Sequence, residues 1–367
     1  MPQYKTFPRK FAYFISPHGF GHASRAAAVM SAFHNVEPSV HFEIFTLAPN
    51  WFFEQSLKTS YTYHQVKTDT GVIQKSALVE DLEATLLDLK TIYPLRQDEV
   101  GRLADIIIQT GCEAIFCDIA PMGIAVARQA GIPSVLIENF TWDWIYEGYL
   151  EEESRFSNIT LYLKKLFKQA DLHIQTDPLC EIDNNADLFA QPASRKPRSP
   201  ASEIRSALEV PDNQKVVLIT MGGIPENYDF LSILKKENLI RFIIPGNYCH
   251  ALTDNNITVL PHHSQFYHPD LVNACDAVVG KLGYSTIAEI FHAGIPMLYL
   301  SRPRFRESPS LVRFVESHIP CAHIPTEELN KGNWLADLHK LLSFPRLNRN
   351  VPNGADQIVQ FILNQRG

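Results

Sequence analysis

The chain has no surplus of basic charge: 33 Lys and Arg stand against 40 Asp and Glu, a formal net charge of −7. General nucleic-acid binders normally carry a basic excess, so the balance argues against that class, though not against a local basic pocket for a phosphorylated small molecule. Cysteine is scarce, six in 367 residues. No two are spaced as CxxC, which removes zinc ribbons and thioredoxin-like redox motifs. Most lie in apolar contexts such as AIFCD and NACDAVV, where small buried thiols belong, so reduced cysteines and a cytoplasmic location are expected. No stretch approaches the length of uncharged apolar sequence that spans a bilayer; peripheral association with a membrane stays open. Lys5, Arg9 and Lys10 precede an apolar run too short for a signal-peptide core, and that run reads as a first strand. Heptads, short repeats and low-complexity tracts are missing. So is any GK[ST] tripeptide, which excludes a Walker A loop.

What is present is ordinary globular composition, 45% hydrophobic and 20% charged, in a chain long enough for two cores. Short β-branched or aromatic runs at 11–16, 40–47, 114–117, 134–137 and 173–176 alternate with helical spacing at 22–34, 77–89, 97–109 and 122–130. The second half restarts the pattern, with strands at 215–220, 241–244, 258–260, 277–279 and 296–300. Helices are expected between them at 231–236, 269–274, 286–292 and 310–317. Strand–helix–strand alternation implies α/β architecture with doubly wound parallel sheets. The expected division is a first Rossmann-like domain at 1–190, a polar, Pro-rich, basic linker at 191–203 and a second Rossmann-like domain at 204–350. A final helix within 351–367 is expected to pack back near the first domain.

Four loops at strand ends hold residues with chemical potential. Ser16-Pro17-His18-Gly19-Phe20-Gly21-His22-Ala23-Ser24-Arg25 joins a strand to a helix, where glycine permits a tight turn and helix N–H groups attract anions. It lacks the third glycine of a dinucleotide fingerprint. Phe116-Cys117-Asp118 ends a buried strand, so Asp118 can orient His22 as a general base needs, or merely cap the next helix. Met221-Gly222-Gly223-Ile224 follows the first strand of the second half. Gly280-Lys281-Leu282-Gly283-Tyr284-Ser285-Thr286-Ile287-Ala288-Glu289 opens a helix. There Ser285, Thr286 and Lys281 suit a diphosphate and Glu289 suits ribose hydroxyls, or Ser285 is an N-cap and Glu289 a helix carboxylate. Counting histidines allows a zinc site from His250, His262, His263 and His268, but the helical pair spacing is missing and no metal is expected.

Together these loops resemble the GT-B glycosyltransferase superfamily, in which two Rossmann-like domains face each other across a cleft. Gly283, Tyr284, Ser285, Thr286, Glu289, Gly294 and Pro296 match the donor-binding box. Gly21-His22 matches the N-terminal loop whose histidine is the base in inverting plant-type members, and Asp118 falls on its carboxylate partner. Longer segments, TDTGVIQKSALVED, CDIAPMGIAVARQAGIPSVLIENFTWDWIYEGY and GKLGYSTIAEIFHAGIPMLYLSRPRFRESP, resemble the glycosyltransferase-like N-terminal region of plant-type L-arabinokinases and bacterial stand-alone relatives. The box departs from the plant type. Lys281 replaces a histidine, Pro261-His262-His263 stands near the missing base-stacking Trp, and Arg304-Phe305-Arg306-Glu307 replaces an acidic-Gln pair.

The resemblance implies an inverting transferase using a nucleoside-diphosphate sugar, UDP-sugar foremost, as co-substrate, with an unidentified hydroxyl acceptor and no further cofactor. The chain has no Asp-x-Asp triplet, which disfavours a metal-chelating GT-A enzyme. His22 and Asp118 are the expected catalytic pair. Gly222, Gly223, Lys281, Gly283, Tyr284, Ser285, Thr286, Glu289, Arg306 and Glu307 are expected at the donor. His18, Gly19, Gly21, Arg25, Asp69, Gln74, Asn139, Trp142 and Asp143 are expected to shape the acceptor cleft. The alternatives are a non-catalytic nucleotide-sugar-binding or sensor module, and a GT-B epimerase or phosphorylase.

Overall fold

Strands covered on both faces read as unbroken apolar runs, because neither side of the sheet meets water. The computed structural model describes residues 9–76, 79–221, 230–248, 251–261, 263–302 and 304–365. The first strands are β1 (Lys10–Ile15), β2 (His41–Thr46), β3 (Ser60–Gln65), β4 (Gln74–Ser76), β5 (Val79–Glu80), β6 (Ile115–Asp118), β7 (Ser134–Glu138), β8 (Leu172–Thr176) and β9 (Leu188–Ala190). Seven of them form one sheet in the order β3-β2-β1-β6-β7-β8-β9, every pairing parallel. β4 and β5 form a separate two-stranded sheet. β1, β2, β6 and β7 are almost wholly buried, which is why their runs are legible in sequence. β3 is a half-exposed edge strand of polar and aromatic residues, and sequence pattern alone does not announce it.

The second half supplies β10 (Lys215–Thr220), β11 (Ile240–Tyr248), β12 (Leu252–Asp254), β13 (Ile257–Pro261), β14 (Ala277–Lys281), β15 (Met297–Leu300) and β16 (Cys321–His323). They form a sheet in the order β12-β13-β11-β10-β14-β15-β16. It is parallel except for the antiparallel edge pair β12–β13. Setting that edge strand aside, the second sheet follows the 3-2-1-4-5-6 order of the doubly wound dinucleotide fold, and the first follows it with β9 added as a seventh strand. The direction of winding reverses between β1 and β6 in one sheet and between β10 and β14 in the other. Ligand crevices of such sheets open at the carboxyl ends of those strands.

The chain divides into two compact units. The first comprises 1–73, 80–193 and 352–367, and the second 74–79 and 194–351. The C-terminal helix Gly354–Asn364 belongs to the first unit, burying Ala355, Ile358, Val359 and Ile362 in its core. Buried side chains of the larger kinds here contribute about 1.5–3 kcal/mol each. Among the described residues no helix is long and apolar enough to cross a membrane.

The interval 191–203 differs from a solvated tether. Residues 192–195 are buried. Gln191 N donates to Gln357 Oε1 at 2.8 Å and Gly354 N to the Pro192 carbonyl. Arg198 N donates to Asp270 Oδ1 at 2.6 Å, and the helix Ala201–Ala207 starts inside the interval. Each half of the expected linker is fastened into its own unit by hydrogen bonds from its backbone. Helix 77–89 is also corrected: the helix is Leu82–Ile92, with Asp81 accepting from Ala84 N as its N-cap.

Candidate active site

In the first unit β1 leads into Ser16 and then the tight loop to the helix Phe20–Val36. Gly19 takes φ 68° there, in the left-handed region that glycine enters without steric cost. The turn puts His22 in the first helical turn, at the positive end of the helix dipole and level with the carboxyl end of β6. His22 Nδ1 lies 2.9 Å from Oδ1 of Asp118. Asp118 has no solvent exposure, and His22 is 7% exposed. The backbone immediately after the carboxylate is strained, with Ile119 at φ 42°. A β-branched residue adopts that conformation only where the surroundings enforce it. Here Ile119 N is held by the Ile137 carbonyl, and Ser16 N by the Asp118 carbonyl.

Arg25, one helical turn beyond His22, shares its face. It grips the same carboxylate with Nε 2.8 Å from Oδ2 and Nη2 2.6 Å from Oδ1. Burial works to raise the Asp118 pKa, but the charge of Arg25 and the bonds from His22 and Arg25 outweigh it and hold the carboxyl below its ordinary value. An ionised Asp118 only accepts, so His22 Nδ1 carries the proton and Nε2 is left with the lone pair.

Asn139, just past β7, accepts from Arg25 Nη1 through Oδ1. Its Nδ2 donates to Thr176 Oγ1 at 2.9 Å and to the Thr176 carbonyl. Trp142 lies edge-on to the rings of both His18 and His22, with centroids 5.3 and 6.0 Å away. Phe140 does the same to His22 at 6.1 Å. Gly71 is required by close approach, since a Cβ there would stand 2.2 Å from His18 Nδ1. Ser16 Oγ donates to Asp69 Oδ1 at 2.9 Å, and burial pushes the Asp69 carboxyl up to about 8.

Several residues expected to shape the cleft are buried. Arg25, Asp69, Asn139 and Trp142 are between 0% and 6% exposed. Arg25 bonds Asp118 directly, Asn139 bonds Arg25, Trp142 packs on the rings of His18 and His22, and Asp69 accepts from Ser16. The physical reason is that Asp118 is buried and needs a buried cation, and the cation in turn needs Asn139. Asp143, in the first turn of Trp142–Glu147, is also buried, and burial raises its carboxyl pKa. His18 and Gly19 lie in the loop and Gly21 in the first turn of the helix, with partial or full exposure. Gln74 opens β4, in the segment that belongs to the second unit.

In the second unit Lys281 ends β14, and Gly283 is the N-cap of the helix Tyr284–Ala293, with no side chain capping it. Ser285 is thus inside the first turn and not the N-cap. Tyr284 and Ser285 are half-buried, and Thr286 is buried beside them. Glu289 is 4% exposed. Its Oε1 accepts from Arg195 Nη2 at 3.0 Å and Nε at 3.3 Å, and its Oε2 lies 2.7 Å from His268 Nδ1. Burial opposes the charge, but Arg195 and His268 together hold the Glu289 carboxyl below its usual range.

Glu307, expected at the donor, lies beside a local arginine. It is 7% exposed and paired with Arg302, whose guanidinium lies 3.9 Å from the Phe305 ring centroid. A buried carboxylate with a local arginine partner is already satisfied. Arg306 is half-buried. Gly222 and Gly223 lie outside the described residues, as do His250 and His262 of the histidine count. Sequence reasoning missed Arg195 altogether, because its partner is 94 residues away. It also missed the link of His268 to Glu289. Arg25 carried a usable signal, its three-residue spacing from His22.

The family model of glycosyl transferase family 1 matches residues 9–320. An L-arabinokinase of Arabidopsis thaliana is 24% identical over 350 residues, which cover 94% of this chain and 33% of that protein. The chain therefore spans about a third of the length of that curated relative. Among solved structures, the glycotransferase of kitacinnamycin superposes with a TM-score of 0.64 at 14% identity, covering 98% of this chain and 99% of the other. A UDP-glucosyltransferase from Polygonum tinctorium, in complex with 3,4-dichloroaniline, gives 0.60 at 12% identity, covering 97% and 93%. With the family model covering most of the chain and the fold shared with these structures, the protein belongs to glycosyl transferase family 1 and has the GT-B fold.

Proposed function

We propose that this glycosyltransferase-type enzyme inverts the anomeric carbon as it moves a hexosyl or pentosyl group from a nucleoside-diphosphate sugar to a hydroxyl. The observation that carries the reading is His22 Nδ1 at 2.9 Å from the buried, ionised Asp118. His22 Nε2 takes the acceptor proton as the acceptor oxygen bonds to the anomeric carbon. The bond from that carbon to the diphosphate oxygen breaks with its electron pair leaving on the diphosphate. One displacement inverts the centre. Asp118 stabilises the resulting imidazolium.

The departing diphosphate meets Lys281, Ser285, Thr286 and the start of the helix Tyr284–Ala293, where partial positive charge accumulates. No cofactor beyond the sugar nucleotide enters this reading. Oε1 of Glu289 takes both Arg195 contacts, so Oε2 keeps one acceptor position for a ribose hydroxyl. UDP is the favoured nucleotide because the P. tinctorium neighbour is a UDP-glucosyltransferase.

Calorimetry against UDP-, GDP- and dTDP-sugars, followed by product analysis with hydroxyl acceptors, tests the reading. A nucleotide-sugar that binds, is turned over and yields the opposite anomer is the expected result. Binding without turnover in any acceptor mixture would leave a binding module. Absence of binding by every nucleotide overturns the donor assignment.

A further inference from the structure

We infer that Arg25 is a positioning residue that sets the proton affinity of His22 through Asp118; this rests on the general-base reading above. The geometry carries it. Asp118 offers four acceptor positions, and Arg25 takes one on each oxygen, at 2.6 and 2.8 Å. His22 takes a second position on Oδ1, at 2.9 Å. The carboxylate plane is thereby locked, and with it the imidazole ring. Asn139 closes the arrangement, accepting from Arg25 and donating to Thr176 at 2.9 Å.

The electrostatic consequence follows from what else faces the pair. Tyr13 of β1 and Cys117 of β6 are fully buried, and burial pushes both well above their ordinary values, so each is neutral at physiological pH. Asp69, from the loop after β3, is pushed up to about 8 and is largely neutral there too. Glu138 of β7 is bonded to His173 at 2.8 Å and to Gln175 at 2.7 Å. His18 meets the edge of Trp142, the ring that also meets His22. Among the described residues, the full charge in direct contact with Asp118 other than a protonated His22 is thus Arg25. Asp118 and Arg25 form a neutral unit, and His22 sees a dipole where an uncompensated carboxylate would trap the imidazolium. The tautomer of His22 is still dictated by Asp118.

The test is the protonation midpoint of His22, read by NMR of histidine-labelled protein, and in parallel the acidic limb of kcat/KM. In Arg25→Met, Asp118 has only His22 to compensate it, and the pair holds its proton to higher pH, a rise of about 1–3 pH units. Arg25→Lys keeps the charge but loses the two-point grip. Its midpoint stays near that of the parent, while kcat falls by up to about 10²-fold as orientation loosens. An unmoved midpoint in Arg25→Met overturns the inference. If that variant does not fold, Arg25→Gln, which keeps hydrogen-bond donors but not the charge, takes its place, and an unmoved midpoint there overturns the inference. The NMR midpoint is read without turnover, so it stands apart from the base reading. That reading fails separately if His22→Gln retains full activity.

Discussion

His22 and Asp118 are 96 residues apart in the chain, yet Nδ1 of one and Oδ1 of the other lie 2.9 Å apart. Asp118 ends β6 and His22 stands in the first turn of the helix that follows β1, the two strands between which the winding of the sheet reverses. That switch point brings together a helix N-terminus and a strand-end carboxylate without help from local sequence. The consequences below follow from this pair and its supports.

Replacing His22 with Ala removes the proposed base and leaves the second unit untouched. Turnover should fall by about 10²–10⁴-fold. Binding of the sugar nucleotide, measured by calorimetry, should be unchanged. Loss of binding together with turnover would mean that the substitution disturbs more than proton transfer.

Asp118 and Glu289 share a pH signature. Both carboxyls are held below their ordinary values in the folded protein. Their contribution to stability is therefore complete above the unfolded carboxylate pKa, about 4. It is lost as pH falls through the lower folded values. Acid unfolding of Asp118→Asn should show a shallower dependence on pH below that point than the parent. At neutral pH the same variant leaves Arg25 buried without its counter-charge, and denaturant titration should show a loss of about 3–5 kcal/mol.

Asp69 carries the opposite sign. Its folded carboxyl titrates at about 8, above the unfolded value, because burial disfavours the charged form. Between pH 4 and pH 8 the folded state holds a proton that the unfolded state has released, so stability declines as pH rises. Asp69→Asn keeps the shape and removes the titration. Its melting temperature relative to the parent should climb steadily across that window, and a constant difference would contradict the placement of Asp69 as a buried acid.

Gly71→Ala tests the packing behind His18. The added Cβ would meet the His18 ring at 2.2 Å, and the ring must turn away from Trp142. We expect KM for the acceptor to change more than the affinity for sugar nucleotide, with the loss relieved in a Gly71→Ala, His18→Ala double variant.

In the second unit, Glu289→Gln leaves Arg195, itself 6% exposed, facing a neutral amide. Nucleotide affinity should weaken and thermal stability fall together. Arg195→Met should lower stability in a comparable way by stranding Glu289. A Glu289→Gln protein with parental stability would show that the pair is not the buried ionic contact seen here.

Local chemistry was enough to announce the α/β alternation, the glycine-histidine loop, Asp118 at a strand end and the helix carrying Ser285, Thr286 and Glu289. Those signals are short-range: buried parallel strands write unbroken apolar runs, and glycines mark turns. The edge strand β3 and the three-residue strands β9 and β16 were missed, because short or half-exposed strands leave no comparable run. Tertiary structure alone decided which charges meet. Arg25 and Asn139 read as cleft residues until Asp118 turned out to be buried and in need of compensation, 93 residues from its arginine. Arg195 read as part of a polar, basic linker until it was found against Glu289. A sequence records that a charge exists, whereas the cost of burying it, and hence the partner it requires, is set by the fold around it.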